Sequence, residues 1–218
     1  MFGLKTLAAA VTGVSLAFAA GAASATVIDF TDASTGHSGA LFGGSVTWTM
    51  TASGALNNSQ AFDGKTTPSV PGLSFETDGY GVGVKDDEIT TSTKAQEWIT
   101  VSFSAPVLID AIYFLDLFVA KDNSSLEVGV ATVNGGSPII NLTATDVAGT
   151  GSGFVGATFA PILASYITFT VLSSNDAFGF ADGALAGIGI APVPVPAAGL
   201  LLLGGLGGLA ALRRRKRA

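Results

Sequence analysis

Between residues 26 and 191, apolar and hydroxyl-bearing positions alternate in short runs. In Ser45–Met50 the apolar Val46, Trp48 and Met50 fall on one face and Thr47 and Thr49 on the other. Trp98–Phe103 does the same with Ile99, Val101 and Phe103, Ser125–Val130 with Leu126, Val128 and Val130, and Tyr166–Val171 with Ile167, Phe169 and Val171. A period of two predicts strands with one buried and one solvated face, as in antiparallel sheets. The run Val107–Leu117 departs from this, because Leu108, Ile109, Ile112, Tyr113, Phe114, Leu115 and Leu117 are apolar on both faces. It predicts a central strand covered on both sides. Asn134-Gly135, between Ser125–Val133 and Pro138–Thr143, is a hairpin turn signal. No convincing long helix can be read here. About ten short strands punctuated by turns predict an all-β fold, an antiparallel β-sandwich of jelly-roll-like type.

The two ends of the chain follow other patterns. Met1–Ala25 carries Lys5, an apolar stretch from Leu7 to Ala20, and the small residues Ala23 and Ala25 flanking Ser24. That order predicts a secretory signal peptide cut after Ala25. Pro192, Pro194 and Pro196 then precede an apolar run from Ala197 to Leu212, which ends at Arg213, Arg214, Arg215, Lys216 and Arg217. Sixteen helical residues span roughly 24 Å, short of a bilayer core of about 30 Å. Val193 and Val195 lengthen the apolar stretch and arginines snorkel, so a transmembrane helix with a cytoplasmic basic end is the expectation. The predicted organisation is therefore a signal peptide over 1–25, a β-sandwich domain over 26–191, and a tail over 192–218.

The tail motif Val193-Pro194-Val195-Pro196-Ala197, with its apolar span and basic stop, resembles the sorting signal of the PEP-CTERM class. It is similar to the Val-Pro-Leu-Pro-Ala variant of Gram-negative bacteria, with Val195 in the place of Leu. The resemblance covers about 25 residues and implies processing near Pro194-Val195-Pro196 by an exosortase-type membrane transpeptidase. It implies transient residence in the inner membrane, body periplasmic and tail cytoplasmic, then delivery to the cell surface or extracellular matrix. Exopolysaccharide is the expected associate there. Four stretches of the body resemble the recurring body of the same class: Gly81-Val82-Gly83-Val84 with Asp86-Asp87-Glu88-Ile89, Glu97–Phe103, Ile112-Tyr113-Phe114-Leu115-Asp116, and Phe180–Ile190. That body is similar to galactose-binding-like jelly rolls, a scaffold of carbohydrate-binding modules, several of which hold a structural calcium.

Charge and composition narrow the chemistry. Without the ends, the body keeps Lys65, Lys85, Lys94 and Lys121 against all 16 acidic residues, a net of −12. Such a body repels nucleic acid. The chain contains no cysteine, so disulfides and thiolate metal sites are excluded. His37 is the only histidine and has no obvious partner, so no catalytic residues are assigned and a binding or structural role is expected. The alternative is a calcium-dependent carbohydrate-binding module; a glycoside hydrolase would require a carboxylate pair that no spacing identifies. Calcium takes six to eight oxygens, often from loops. The candidate ligands are Asp29, Asp86, Asp87, Glu88, Asp176 and Asp182, with Asp78 beside the same Gly-rich stretch. They converge if the first and last strands are neighbours. Tyr80, flanked by glycines, and Trp98 are the candidate glycan platforms.

Overall fold

The computed structural model describes residues 26–84, 86–122, 124–174 and 181–192. The signal peptide, Asp176, the sorting motif and the basic stop lie outside the described residues. Among those described, the strands are β1 (Thr26–Asp29), β2 (Ser38–Leu41), β3 (Val46–Ala52), β4 (Leu56–Asn57), β5 (Gly81–Val82), β6 (Ile99–Leu115), β7 (Phe118–Val119), β8 (Leu126–Val133), β9 (Pro138–Thr143), β10 (Asp146–Val147), β11 (Val155–Ser174) and β12 (Ala184–Ile190). A single 3-10 turn at Phe42–Gly44 is the helical element among them. No helix of the described residues is long and apolar enough to cross a membrane. The fold is all-β.

Ten of the strands form one sheet that curls around a core, in the order β1-β12-β6-β11-β8-β7-β10, with β3 joining β6, β2 joining β3, and β9 joining β8. Two strands are far longer than the sequence pattern predicts. The runs Trp98–Phe103 and Val107–Leu117 belong to one strand, β6, of 17 residues, and β11 has 20. Each carries a proline in its middle, Pro106 and Pro161. The β6–β11 register shifts between Thr158 and Ile162 and between Ala164 and Tyr166. A proline donates no ladder hydrogen bond, so the pair bends there. One half of β6 then pairs with β3 and the other with β12. The pairing is not wholly antiparallel either, since β7 and β10 run parallel.

Alternation sets the core. Trp48 and Met50 of β3, Ile99, Val101 and Ile109 of β6, and Ile167, Phe169 and Val171 of β11 are all buried with Ile28, Phe30 and Ile188. Phe114 and Phe169 meet edge to face at 6.0 Å. The prediction that the second half of β6 is covered on both sides holds. Leu115 packs into a second cluster with Ala184, Ala186 and Phe75, against Phe62, Val70 and Leu73. These phenylalanines and leucines come from the segment joining β4 to β6, which has little ladder of its own. Small residues in β12 let that segment approach: a Cβ on Gly187 would stand 2.8 Å from Leu73 Cδ2 and 3.0 Å from the Ile28 carbonyl oxygen. The predicted Asn134-Gly135 turn joins β8 to β9, both residues with positive φ, 52° and 67°. First and last strands are neighbours, Thr26 opposite Ile190.

Candidate functional site

The segment between β4 and β6 is tied to the start of β12 by backbone hydrogen bonds. Tyr80 and Leu185 exchange two, at 3.0 and 2.9 Å, Ile89 N–H donates to the Gly183 carbonyl at 2.6 Å, and Thr91 and Ala181 exchange two more. This positions Asp78, Asp87 and Glu88 beside the point where β6 ends at Leu115 and Asp116 follows. Two glycines make the approach feasible. A Cβ on Gly81 would fall 1.8 Å from the Asp87 carbonyl carbon, and one on Gly153 would fall 2.7 Å from Asp116 Cα. Asp116 itself has φ 57°, a left-handed conformation that disfavours non-glycine residues and collects at functional sites.

The result is an acidic centre. One carboxylate oxygen each of Asp63, Asp78 and Asp116 lies within 4.8 Å of the others. Asp63 is exposed at the rim, and Asp78 is buried. The Asp63 N–H donates to Asp78 Oδ1 at 3.2 Å. Asp87 is 3% exposed; its Oδ1 accepts from Gln60 Nε2 at 2.9 Å, and its Oδ2 is buried without a hydrogen-bond partner. Burial raises Asp78 to about 6, opposed by the Asp63 N–H and reinforced by the charges of Asp63 and Asp87. Burial likewise raises Asp116 to about 9 and Glu88 to about 8, and every charge acting on either is another carboxylate. Alongside, burial raises both Glu127 and Asp182, and the two side chains hydrogen-bond to each other. Glu127 also accepts from the N–H groups of Phe118 and Asp182. That pair resembles two carboxyls sharing one proton.

The centre corrects part of the predicted ligand set. Asp87 and Glu88 lie beside it, their charges acting on Asp116, and Asp182 adjoins it through Glu88, on which its charge acts. Asp86 is exposed beside them, its Oδ1 accepting from the Glu88 N–H. Asp29 stands apart despite the β1–β12 pairing. Its carboxylate is consumed by a local turn, accepting from Thr31 N–H and hydroxyl and from Ser74 N–H. Asp63, Asp116 and Glu127 were missed. Asp63-Gly64 and Leu115-Asp116 offered only turn and strand-end signals, and 53 residues separate Asp63 from Asp116 along the chain.

The aromatic candidates divide as well. Tyr80 is 2% exposed, its hydroxyl donating to the Thr35 carbonyl at 2.7 Å and its ring packed edge-on to Phe30 and His37. It offers no face to a sugar, which corrects the expectation of an exposed ring between glycines. Trp98, at 37% exposed, shares the outward parity of Thr100 and Ser102 on β6. Across that outer face, Thr51, Thr100, Thr168 and Thr132 stand in register on β3, β6, β11 and β8. The Thr100 and Thr168 hydroxyls are 2.8 Å apart. Thr49, Ser102 and Tyr166 form the next row. The stretches Val46–Ala52, Ile99–Ser104, Tyr166–Val171 and Val128–Val133 that make this face carry no charged residue on an otherwise strongly acidic body.

No family model matches the chain, and no curated protein matches it. Among solved structures it is similar to chitosan-binding module 1 derived from a chitosanase/glucanase of Paenibacillus sp. IK-5, at 18% identity and a TM-score of 0.27, over 65% of this chain and 89% of that one. A likeness at that score decides neither the details of the fold nor a ligand.

Proposed function

We propose that this is an exported β-sandwich protein of binding or structural role, sorted through its C-terminal signal to the cell surface or matrix and held there with exopolysaccharide. The observation that carries the reading is the uncharged hydroxyl face of β3, β6, β11 and β8, edged by Trp98 and Tyr166, 37% and 36% exposed. Four residues of β6 separate the positions of the two rings, roughly 13 Å along the sheet. Aromatic rings stack on the apolar faces of pyranose rings, and in-register threonines offer donors and acceptors to sugar hydroxyls. A neutral face also spares the polymer the cost of desolvating charge. The paired strands β1 and β12 support the sorting half. With Thr26 opposite Ile190, the first and last strands of the body end side by side at one edge, which suits a domain held at both ends during export.

Affinity electrophoresis through neutral polysaccharide gels tests the face. The wild type is expected to be retarded, and a Trp98→Ala, Tyr166→Ala double variant to run freely. Equal mobility of the two would remove the observation on which the reading stands. Mass spectrometry of matrix-bound protein tests the sorting half, with a C-terminus near Pro196 expected; a chain ending at Ala218 would sink it.

A further inference from the structure

We infer that the cleft between β1 and β2 takes up an extended, basic polypeptide segment of another protein, added as a strand to their free edges. The inference goes beyond the sorting and polysaccharide readings and rests on neither.

β1 ends the strand order and β2 pairs with β3 alone, so each has one free edge. A cavity of about 380 Å³ lies between them, lined by all four residues of each strand. Backbone parity shows what these edges offer. The Phe30 N–H donates to the Ala186 carbonyl of β12 at 3.0 Å, so Thr26 and Ile28 also turn their backbone groups to β12, and Val27 and Asp29 turn theirs away. The Met50 N–H donates to the His37 carbonyl at 2.8 Å, so Gly39 and Leu41 face β3 while Ser38 and Ala40 face outward. Among the described residues, no backbone hydrogen bond crosses the cavity from these four outward positions. Such edges are templates for a further strand. Apart from their shortness, they carry few of the usual guards: β2 has no charge, proline or bulge, and β1 has only Asp29.

Side chains select the occupant. Ile28, Leu41 and Trp48 are the core residues that reach the cavity. A Cβ on Gly39 would stand 2.7 Å from the Trp48 indole, so the bare glycine lets that ring lie against β2. Asp29 has the opposite parity to Ile28. Asp29 and Asp32 are the charged residues of the lining, and no basic residue joins them. Local turns fix both carboxylates: Asp29 accepts from Thr31 and Ser74, and Asp32 from the Ser34 N–H at 2.7 Å. An entering strand therefore meets apolar side chains on one face and negative charge on the other. Alternating apolar and Lys or Arg residues match both faces, whereas a second copy of this acidic body would set like charges together.

The test titrates the full chain in detergent with three synthetic hexapeptides by calorimetry: alternating Val-Lys, alternating Val-Glu, and the Val-Lys peptide N-methylated at every residue. The Val-Lys peptide is expected to bind at one site. The methylated peptide keeps the charge and loses the strand donors, so it should bind at least about tenfold more weakly, and Val-Glu should not bind. Ala40→Pro removes one outward donor and spares the β2–β3 ladder, as proline does on an edge strand. Its Tm should stay near that of the wild type while Kd weakens about tenfold. Asp32→Asn keeps the acceptor of the Ser34 bond and removes the charge, so it should weaken Kd about threefold without risk to folding. No binding of Val-Lys, equal binding of its methylated form, or wild-type affinity in both variants would each overturn the inference. A wild type that sediments as a dimer, and as a monomer once Ala40→Pro is introduced, would assign the cleft to a second copy and overturn the basic partner.

Discussion

Two regions of this body are held by different physics. The β3–β6–β11–β8 sheet is specified by alternation: every second residue enters the core, and a slip of one position would expose the whole buried set. The segment between β4 and β6 has no such period. It is held by a few phenylalanines and leucines, by backbone bonds to the start of β12, and by carboxylates that gain nothing from burial on their own. The first region is stable because of what it removes from water. The second takes carboxyl groups out of water with it, and that desolvation raises their pKa values instead of adding stability at neutral pH.

The contrast can be broken from the sheet side first. Phe169 is fully buried against Phe114. Phe169→Ala is expected to cost about 3–5 kcal/mol in chemical unfolding. Gly81→Ala should cost less, about 1–3 kcal/mol, because the sheet core remains. Its Cβ must displace the Asp87 backbone, so protease cutting within residues 58–98 should appear while far-ultraviolet dichroism stays native. If Gly81→Ala unfolded the sheet as completely as Phe169→Ala, the two regions would be one cooperative unit.

Acidity gives a subtler contrast. Burial raises the folded pKa values of Asp78, Glu88 and Asp116 to about 6, 8 and 9, above their ordinary 3.8, 4.5 and 3.8. A folded value above the unfolded one means stability that is complete below about pH 4 and is lost as pH rises through the folded value. Tm is therefore expected to fall steadily from about pH 4.5 to about pH 9, and Glu127→Gln should make that slope shallower by removing one raised carboxyl. A Tm that rises over that range would contradict the buried acidic centre. The smallest expected effect belongs to the sheet's outer face: Trp98→Ala alone should change stability by no more than about 0.5 kcal/mol, although the face is the proposed polysaccharide contact.

The sheet was readable because its information is local. Val46, Trp48 and Met50 declare a buried face within six residues, and Asn134-Gly135 declares a turn within two. Even the double burial of Ile112–Leu115 could be read, although not what covers it. The length of β6 and β11 was hidden by Pro106 and Pro161, which break the pattern locally while the chain continues beyond the bend. The acidic centre was hidden for a different reason. Asp63, Asp78 and Asp116 meet through the packing of Phe62, Leu73 and Phe75 on β12, and that packing has no period. Asp29 misled because adjacency of β1 and β12 was right, while its side chain was already committed to Thr31 and Ser74. Tyr80 misled because flanking glycines signal an open turn as readily as a close backbone contact.

The pairing of β1 with β12 has a mechanical side. Thr26 and Ile190 are partners at the same end of an antiparallel pair. A pull that separates the two chain exits therefore loads the ladder one rung at a time, like a zipper, rather than shearing all its hydrogen bonds together. β1 has only β12 as a neighbour, and it takes Ile28 with it as it peels. A protein stretched between two attachments at its ends would yield first at this edge, at low force. A body secured by one end alone would never load that edge, and the first strand would stay closed under tension.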